Sequence, residues 1–265
     1  MTVSPSSPSS PSQPPSLLAV FAHPDDESLV AGGVLAQHAD AGARTAVVTA
    51  TWASGSHRAA ELADALRILG AGEPRLLGYA DARVPESAPG RARFCDAPLD
   101  EAVEKLVRHL REVRPDIVVT HDAYGGLSGH PDHVHTHRVT LLAVQAAGLE
   151  HRYPDAGEPW QPGALYLATH PHSGVAELGG LMTRVGKSVL GVPDEWVTAT
   201  VDVRPWLEQK WSAILAHRSE VARERPLPGI LSRLSAEARR RILATEYYTR
   251  LEVAPTGRGL ERLTA

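Results

Sequence analysis

The sequence lacks most of the features that give a quick assignment. It has one cysteine, Cys95, in 265 residues, so no intrachain disulfide can form and a cytoplasmic setting is expected. No apolar run is long enough to span a bilayer. There is no excess of basic charge: the net charge is -4 and the pI is about 6.3, which gives no reason to expect nucleic acid or an anionic membrane as partner. GxGxxG and P-loop patterns are absent, so nucleotide binding has no motif support. There is no GxSxG, and Cys95 has no evident partner for nucleophilic work. No internal repeat is present.

What is there begins with "MTVSPSSPSSPSQPPS", residues 1–16. This stretch has neither the charged nor the apolar region of a signal peptide. Its Ser/Pro composition buries too little surface to offset ordering entropy, so it reads as a disordered tail. The rest, 17–265, reads as one domain, since no composition shift marks a boundary. Strand-like and helix-like segments alternate along it. Buried strands are expected at 17–22, 44–51, 75–79 and 116–121, and further strands at 164–170 and 196–203. Helices are expected at 27–42, 57–70, 99–115, 131–148, 205–221 and 235–251, and residues 80–98 read as a long loop. Repeated βα units with near-continuous apolar strands predict an α/β fold, a mostly parallel sheet with helices on both faces.

Two polar clusters stand out among the 13 histidines. The first is His23-Pro24-Asp25-Asp26-Glu27. The second is "GHPDHVHTH", which holds His130, Asp132, His133, His135 and His137. Each follows the C-terminal end of a predicted strand, where the loops of an open α/β sheet converge on a ligand. Imidazole and carboxylate are typical zinc ligands, and a catalytic site keeps one position open for water. His130 and His133 are three apart at a helix start and can face one side. In the first cluster, His23 and one aspartate could ligate while the other aspartate stays free as a base. That inventory suits metal-assisted hydrolysis. A plainer reading of "HPDDE" is a helix N-cap with favourable charge at the dipole. His135, His137 and Arg138 are assigned to other helix faces or to supporting positions.

"AHPDDESL" followed a hundred residues later by "GHPDHVHTH" resembles the PIG-L/LmbE-like zinc deacetylases. The layout is nearest to the mycothiol-pathway enzymes that act on N-acetylglucosaminyl-inositol. The resemblance covers most of residues 17–150 and implies a Rossmann-like fold. It implies metal ligands His23, Asp26 and His133, with zinc as cofactor and ferrous iron as a second candidate. It implies Asp25 as the general base for the attacking water, and His130 as the group that holds the oxyanion and helps protonate the amine. Asp132 would orient His130 by a hydrogen bond. Arg58 and Asp81 would contact substrate. Ser128 stands two residues before His130, where the mycothiol deacetylases carry a tyrosine, and Tyr124 is nearby. The late segment "WLEQKWSAILAHRSEV" and "ATHPHSG" would form a lid or substrate wall, with His170, His172 and His217 as candidates for it.

The expected activity is removal of the N-acetyl group from an N-acetylglucosamine-type conjugate, a small-molecule substrate. The alternatives are an amidase for a larger amide, such as a mycothiol S-conjugate, and a non-catalytic sugar- or metal-binding protein. The motifs leave the oligomeric state open.

Overall fold

Strand β1 (Leu17–Phe21) carries no polar side chain and is buried throughout. Its alternate residues serve opposite faces: Leu18 and Val20 pack into one apolar cluster, Leu17, Ala19 and Phe21 into another. Such a strand can lie only inside a sheet covered on both sides. The computed structural model describes residues 13–187 and 189–253 and gives that arrangement.

After β1 come α1 (Asp26–Val30), α2 (Gly32–Asp40), β2 (Thr45–Thr51), α3 (His57–Leu69) and β3 (Arg75–Tyr79). Then follow α4 (Leu99–Val113), β4 (Ile117–His121), α5 (Pro131–Ala147), β5 (Ala164–Thr169) and α6 (His172–Arg184). The last described part holds β6 (Ala199–Asp202), α7 (Leu207–Ala216), α8 (Arg218–Val221), α9 (Leu227–Ser232), α10 (Ala236–Leu243) and β7 (Thr245–Leu251). The seven strands form one sheet in the order β3-β2-β1-β4-β5-β7-β6. The first five are parallel, and β7 is antiparallel to both β5 and β6. Helices α4 and α5 cover one face through Leu106, Leu110 and Val139. Helices α2, α3 and α7 cover the other through Leu35, Leu66 and Ala213. Each such fully buried Leu or Val side chain contributes about 1.5–3 kcal/mol.

The chain runs outward from β1 in both directions, so the sheet order reverses between β1 and β4. Ligands of open α/β sheets bind at that reversal, beyond the strand C-termini. The two polar clusters follow β1 and β4 respectively.

Several elements differ from expectation. The helix expected over 27–42 breaks at Ala31. A Cβ on Gly33 would sit 2.3 Å from Val203 Cβ, so the bare backbone there admits a segment from far along the chain. The helix expected over 205–221 breaks at His217. The helix expected over 235–251 is corrected: it ends at Leu243, and Thr245–Leu251 is a strand between β5 and β6. Its Thr and Tyr residues fit a pleated, half-buried surface. Helices α6 and α9 are additional. Residues 1–12 of the Ser/Pro-rich segment lie outside the described residues. Ser16, expected in the tail, is buried, and its amide and hydroxyl bond to the Asp116 carboxylate at 2.8 and 2.7 Å. Among the described residues, no helix is long and apolar enough to cross a membrane.

Candidate active site and metal centre

The turn after β1 is tight. Asp25 has φ 126°, a left-handed backbone on a residue that is not glycine. Such conformations cost about 1–3 kcal/mol and persist only where the surroundings enforce them. The result is that Asp25 and Asp26, adjacent in sequence, face different partners. Asp26 Oδ2 accepts the His23 amide at 2.8 Å and faces His121 Nε2 at 3.3 Å, while Asp25 Oδ2 lies 3.3 Å from Arg58.

The second cluster arrives at the start of α5. Gly125 has φ 82°, and a Cβ there would meet Val134 at 2.9 Å, so the loop closes tightly on the helix. Its carbonyl accepts a hydrogen bond from His133 Nδ1 at 3.0 Å. A carbonyl only accepts, so this nitrogen carries the proton and His133 Nε2 presents a lone pair. His23 is fixed the same way: Nε2 donates to Asp132 Oδ2 at 3.1 Å, which leaves Nδ1 as a lone pair. His23 Nδ1 and His133 Nε2 lie 3.1 Å apart, and each is 3.4 Å from an oxygen of Asp26. When His23 is neutral, three acceptors converge with no proton between them. Two nitrogens on one tetrahedral zinc, each about 2.0–2.1 Å from it, would be separated by about 3.3 Å. The His23 and His133 nitrogens fit a divalent metal by donor chemistry and spacing, and Asp26 offers one oxygen toward each; the sets His23/His130/His133 and Asp26/His121/His133 also lie close enough to share an ion.

Charge supports this fit. Burial opposes a proton on His23, but Asp132, Asp26 and Asp81 outweigh it and push its pKa up to about 10. Burial also opposes ionisation of Asp26, yet His133 and His121 hold its carboxyl well below the usual range. The cluster attracts positive charge.

Asp25 behaves differently. Burial pushes its pKa up to about 7 against the pull of Arg58. A carboxylate poised there can take and return a proton at neutral pH. His130 caps α5, its Nδ1 accepting the Asp132 amide at 3.2 Å, so its proton sits on Nε2. Burial and the neighbouring His23 push His130 down to about 4, which keeps it a neutral donor.

Asp132 bonds His130 through its backbone amide. Its carboxylate does not bond to His130, lying 3.7 Å from Nδ1. Instead it accepts hydrogen bonds from His23 Nε2 and from the amides of Ala82 at 2.8 Å and Cys95 at 2.9 Å. The α5 start turns the carboxyl toward the 80–98 loop and leaves only the backbone amide for His130. Asp132 therefore orients His23.

Asp81 and Arg58, the expected substrate contacts, both line the same cavity as His23, Asp25 and His130. It measures about 220 Å³. Asp81 Oδ2 is 3.4 Å from His23 Nε2. Arg58 is buried and engaged, lying 3.3 Å from both Asp25 and Glu220 and over the Trp52 ring at 5.0 Å.

The family model described as GlcNAc-PI de-N-acetylase, PIG-L, matches residues 18–144. The 1D-myo-inositol 2-acetamido-2-deoxy-alpha-D-glucopyranoside deacetylase of Rhodococcus jostii (strain RHA1) is 39% identical over 241 residues, 77% of this chain and 81% of that protein. This chain belongs to the PIG-L family. The deacetylase of the same name from Mycobacterium leprae (strain Br4923) is 38% identical over 254 residues, covering 78% of this chain and 80% of its own. The N,N'-diacetylchitobiose deacetylase of Pyrococcus horikoshii shares the fold, with a TM-score of 0.63 at 18% identity over 90% of this chain and 84% of that one.

In this PIG-L chain, sequence reasoning missed three residues near the site. His121 ends β4 and stacks on His133 at 4.0 Å. Its place at a strand C-terminus was the available signal. Glu220 reaches Arg58 from α8, and Lys187 lines the cavity from beyond α6. Of the expected wall residues, His170 lines the cavity, while His172 is exposed and is not part of the lining. His217 is corrected: it is fully buried, and its Nε2 meets Glu27 Oε1 at 2.8 Å. His135 packs edge-on against Phe94, and His137 bonds the His121 carbonyl, so both serve the fold. Ser128 and Leu127 lie on the cavity wall; Tyr124 is exposed.

Proposed function

We propose that this chain is a metal-dependent N-deacetylase that hydrolyses the acetamide of an N-acetylglucosamine conjugate, with N-acetylglucosaminyl-inositol as the leading substrate. The observation that carries this reading is the pairing of an acceptor-only His23/Asp26/His133 cluster with a neighbouring carboxylate, Asp25, poised near neutrality. The named activity of relatives at 37–39% identity over about three quarters of the chain supports the inositol conjugate. His23, Asp26 and His133 would hold zinc or ferrous iron, with zinc preferred for an all-N/O set of three ligands.

When bound, such an ion polarises the amide carbonyl and acidifies the attacking water. Asp25 takes the proton of that water. His130 donates its Nε2–H to the carbonyl oxygen as charge develops there. Asp25 returns its proton to the departing amine, with His130 as a second donor for it. Asp132 keeps the Nδ1 lone pair of His23 aimed at the ion. Asp81 and Arg58 orient the sugar from the cavity walls.

The test is a substrate panel assayed for free amine and acetate with the zinc-loaded protein. It compares N-acetylglucosaminyl-inositol, free N-acetylglucosamine, nucleotide-linked N-acetylglucosamine and a mycothiol S-conjugate. Preference for the first supports the proposal. Preference for the S-conjugate would assign an amidase, and bound zinc with no turnover of any member would leave a binding protein.

A further inference from the structure

The Asp25 turn does not hold itself. Its φ of 126° lies where L-residues rarely rest, and its side chain makes no capping bond to α1, which has five residues. Two contacts reach it from one corner of the molecule, the α7–α8 junction. The first runs through Glu27. One oxygen of this fully buried carboxylate accepts the Asp25 amide at 3.0 Å. The other accepts Ser28 Oγ at 2.5 Å and meets His217 Nε2 at 2.8 Å. The bond to the Asp25 amide is of the kind a first-turn glutamate makes to the N-cap; what exceeds capping is the second oxygen, which reaches a residue 190 positions away. The second contact runs through Arg58, which lies 3.3 Å from Asp25 Oδ2 and 3.3 Å from Glu220. His217 sits at the break between α7 and α8, and Glu220 follows on α8.

We propose that His217 and Glu220 are positioning residues that hold the Asp25 base from two sides, His217 through Glu27 onto the backbone amide and Glu220 through Arg58 onto the carboxylate. The α8 corner leads into Arg223, Pro226 and Leu227 on the cavity wall, so the wall and the support of the base come from one continuous stretch of chain. Neither positioning residue carries a step of the chemistry. Their effect is geometric, and a displacement of a reacting group by about 1 Å costs about 100-fold in rate.

The kinetic arm of the test rests on the deacetylase reading; the exchange arm does not. His217→Leu removes the donor to Glu27 at similar volume, and His217→Gln restores an N–H at about the reach of Nε2. With the zinc-loaded protein and N-acetylglucosaminyl-inositol, we expect His217→Leu to lower kcat about 10- to 100-fold with KM and zinc content unchanged. His217→Gln should recover most of that loss. Hydrogen exchange of the peptide spanning 22–29 should quicken about tenfold in His217→Leu and return toward wild type in His217→Gln. Wild-type kcat in His217→Leu would overturn the proposal, and so would a joint fall of kcat, zinc content and Tm that His217→Gln does not rescue. If wild type turns over no substrate, the deacetylase reading fails and exchange alone decides: unchanged exchange in His217→Leu overturns the proposal. Should His217→Leu not accumulate folded, Glu27→Gln, isosteric but short of acceptors for its three donors, must show the same kcat and exchange changes or the proposal falls.

Discussion

His23 Nδ1 and His133 Nε2 face each other across 3.1 Å, a gap that either a proton on His23 or a metal ion must fill. Their other nitrogens are committed to Asp132 and to the Gly125 carbonyl. Only positive charge between them relieves the arrangement. We therefore expect chelation to abolish turnover and lower Tm, because a ligand that binds only the folded state adds RT ln(1 + [L]/Kd), about 2.7 kcal/mol at a hundredfold excess over Kd. Calorimetry before and after chelation, then with zinc or ferrous iron returned, measures this. An unchanged Tm and rate after the metal is stripped would exclude the site.

Asp25 is separate from that cluster, since its carboxylate pairs with Arg58. Asp25→Asn should keep zinc content and fold but lose about 100- to 10,000-fold in kcat, the range for a positioned general base. Steady-state kinetics with metal analysis tests both halves. A rate within a few-fold of wild type would move the base elsewhere.

Asp132 acts on the metal through His23. Asp132→Ala strips the acceptor from His23 Nε2 and from the amides of Ala82 and Cys95. Loss of such a supporting partner typically costs 10- to 100-fold in metal affinity. Competition with a chromophoric chelator gives the value directly. An unchanged affinity with reduced kcat would return Asp132 to the His130 role that the sequence suggested.

A fourth test concerns stability alone. Lys210 Nζ meets Glu246 Oε1 at 2.7 Å, and both side chains are almost fully buried. Lys210→Met leaves the carboxylate buried without its counter-ion and should cost about 3–5 kcal/mol of unfolding free energy. Denaturant unfolding reads this. A loss under 1 kcal/mol would show that the amides of Gly33 and Val34 and the Tyr248 hydroxyl, all bonded to Glu246, are sufficient partners.

The parallel half of the sheet was legible because each strand is a short apolar run and each helix ends in a recognisable stop; Gly70, for instance, closes α3 in the left-handed conformation. The two motifs were legible because strand ends bring them together. The remainder depends on partners distant in sequence. Thr245–Leu251 continues a strongly helical stretch, and only pairing with β5 and β6 makes it a strand. His217 looks like a surface histidine until Glu27 is beside it. The direction of the Asp132 carboxylate depends on two amides in a loop that has no pattern of its own. His121 reads as the end of a core strand unless every strand terminus is treated as part of the site.

Strand β7 also carries a consequence for timing. It is the last described element, yet it lies inside the sheet, and among the described residues β6 pairs with no other strand. Its Glu246 caps the α2 amides just behind the His23 turn. During synthesis, residues 17–144 leave the ribosome first and can pair four of the parallel strands. Helix α2 still lacks its acceptor, and β6 lacks a neighbour, until Thr245–Leu251 emerges. Competence thus waits on Thr245–Leu251, and a chain stalled before Thr245 would present both motifs without the frame that fixes them.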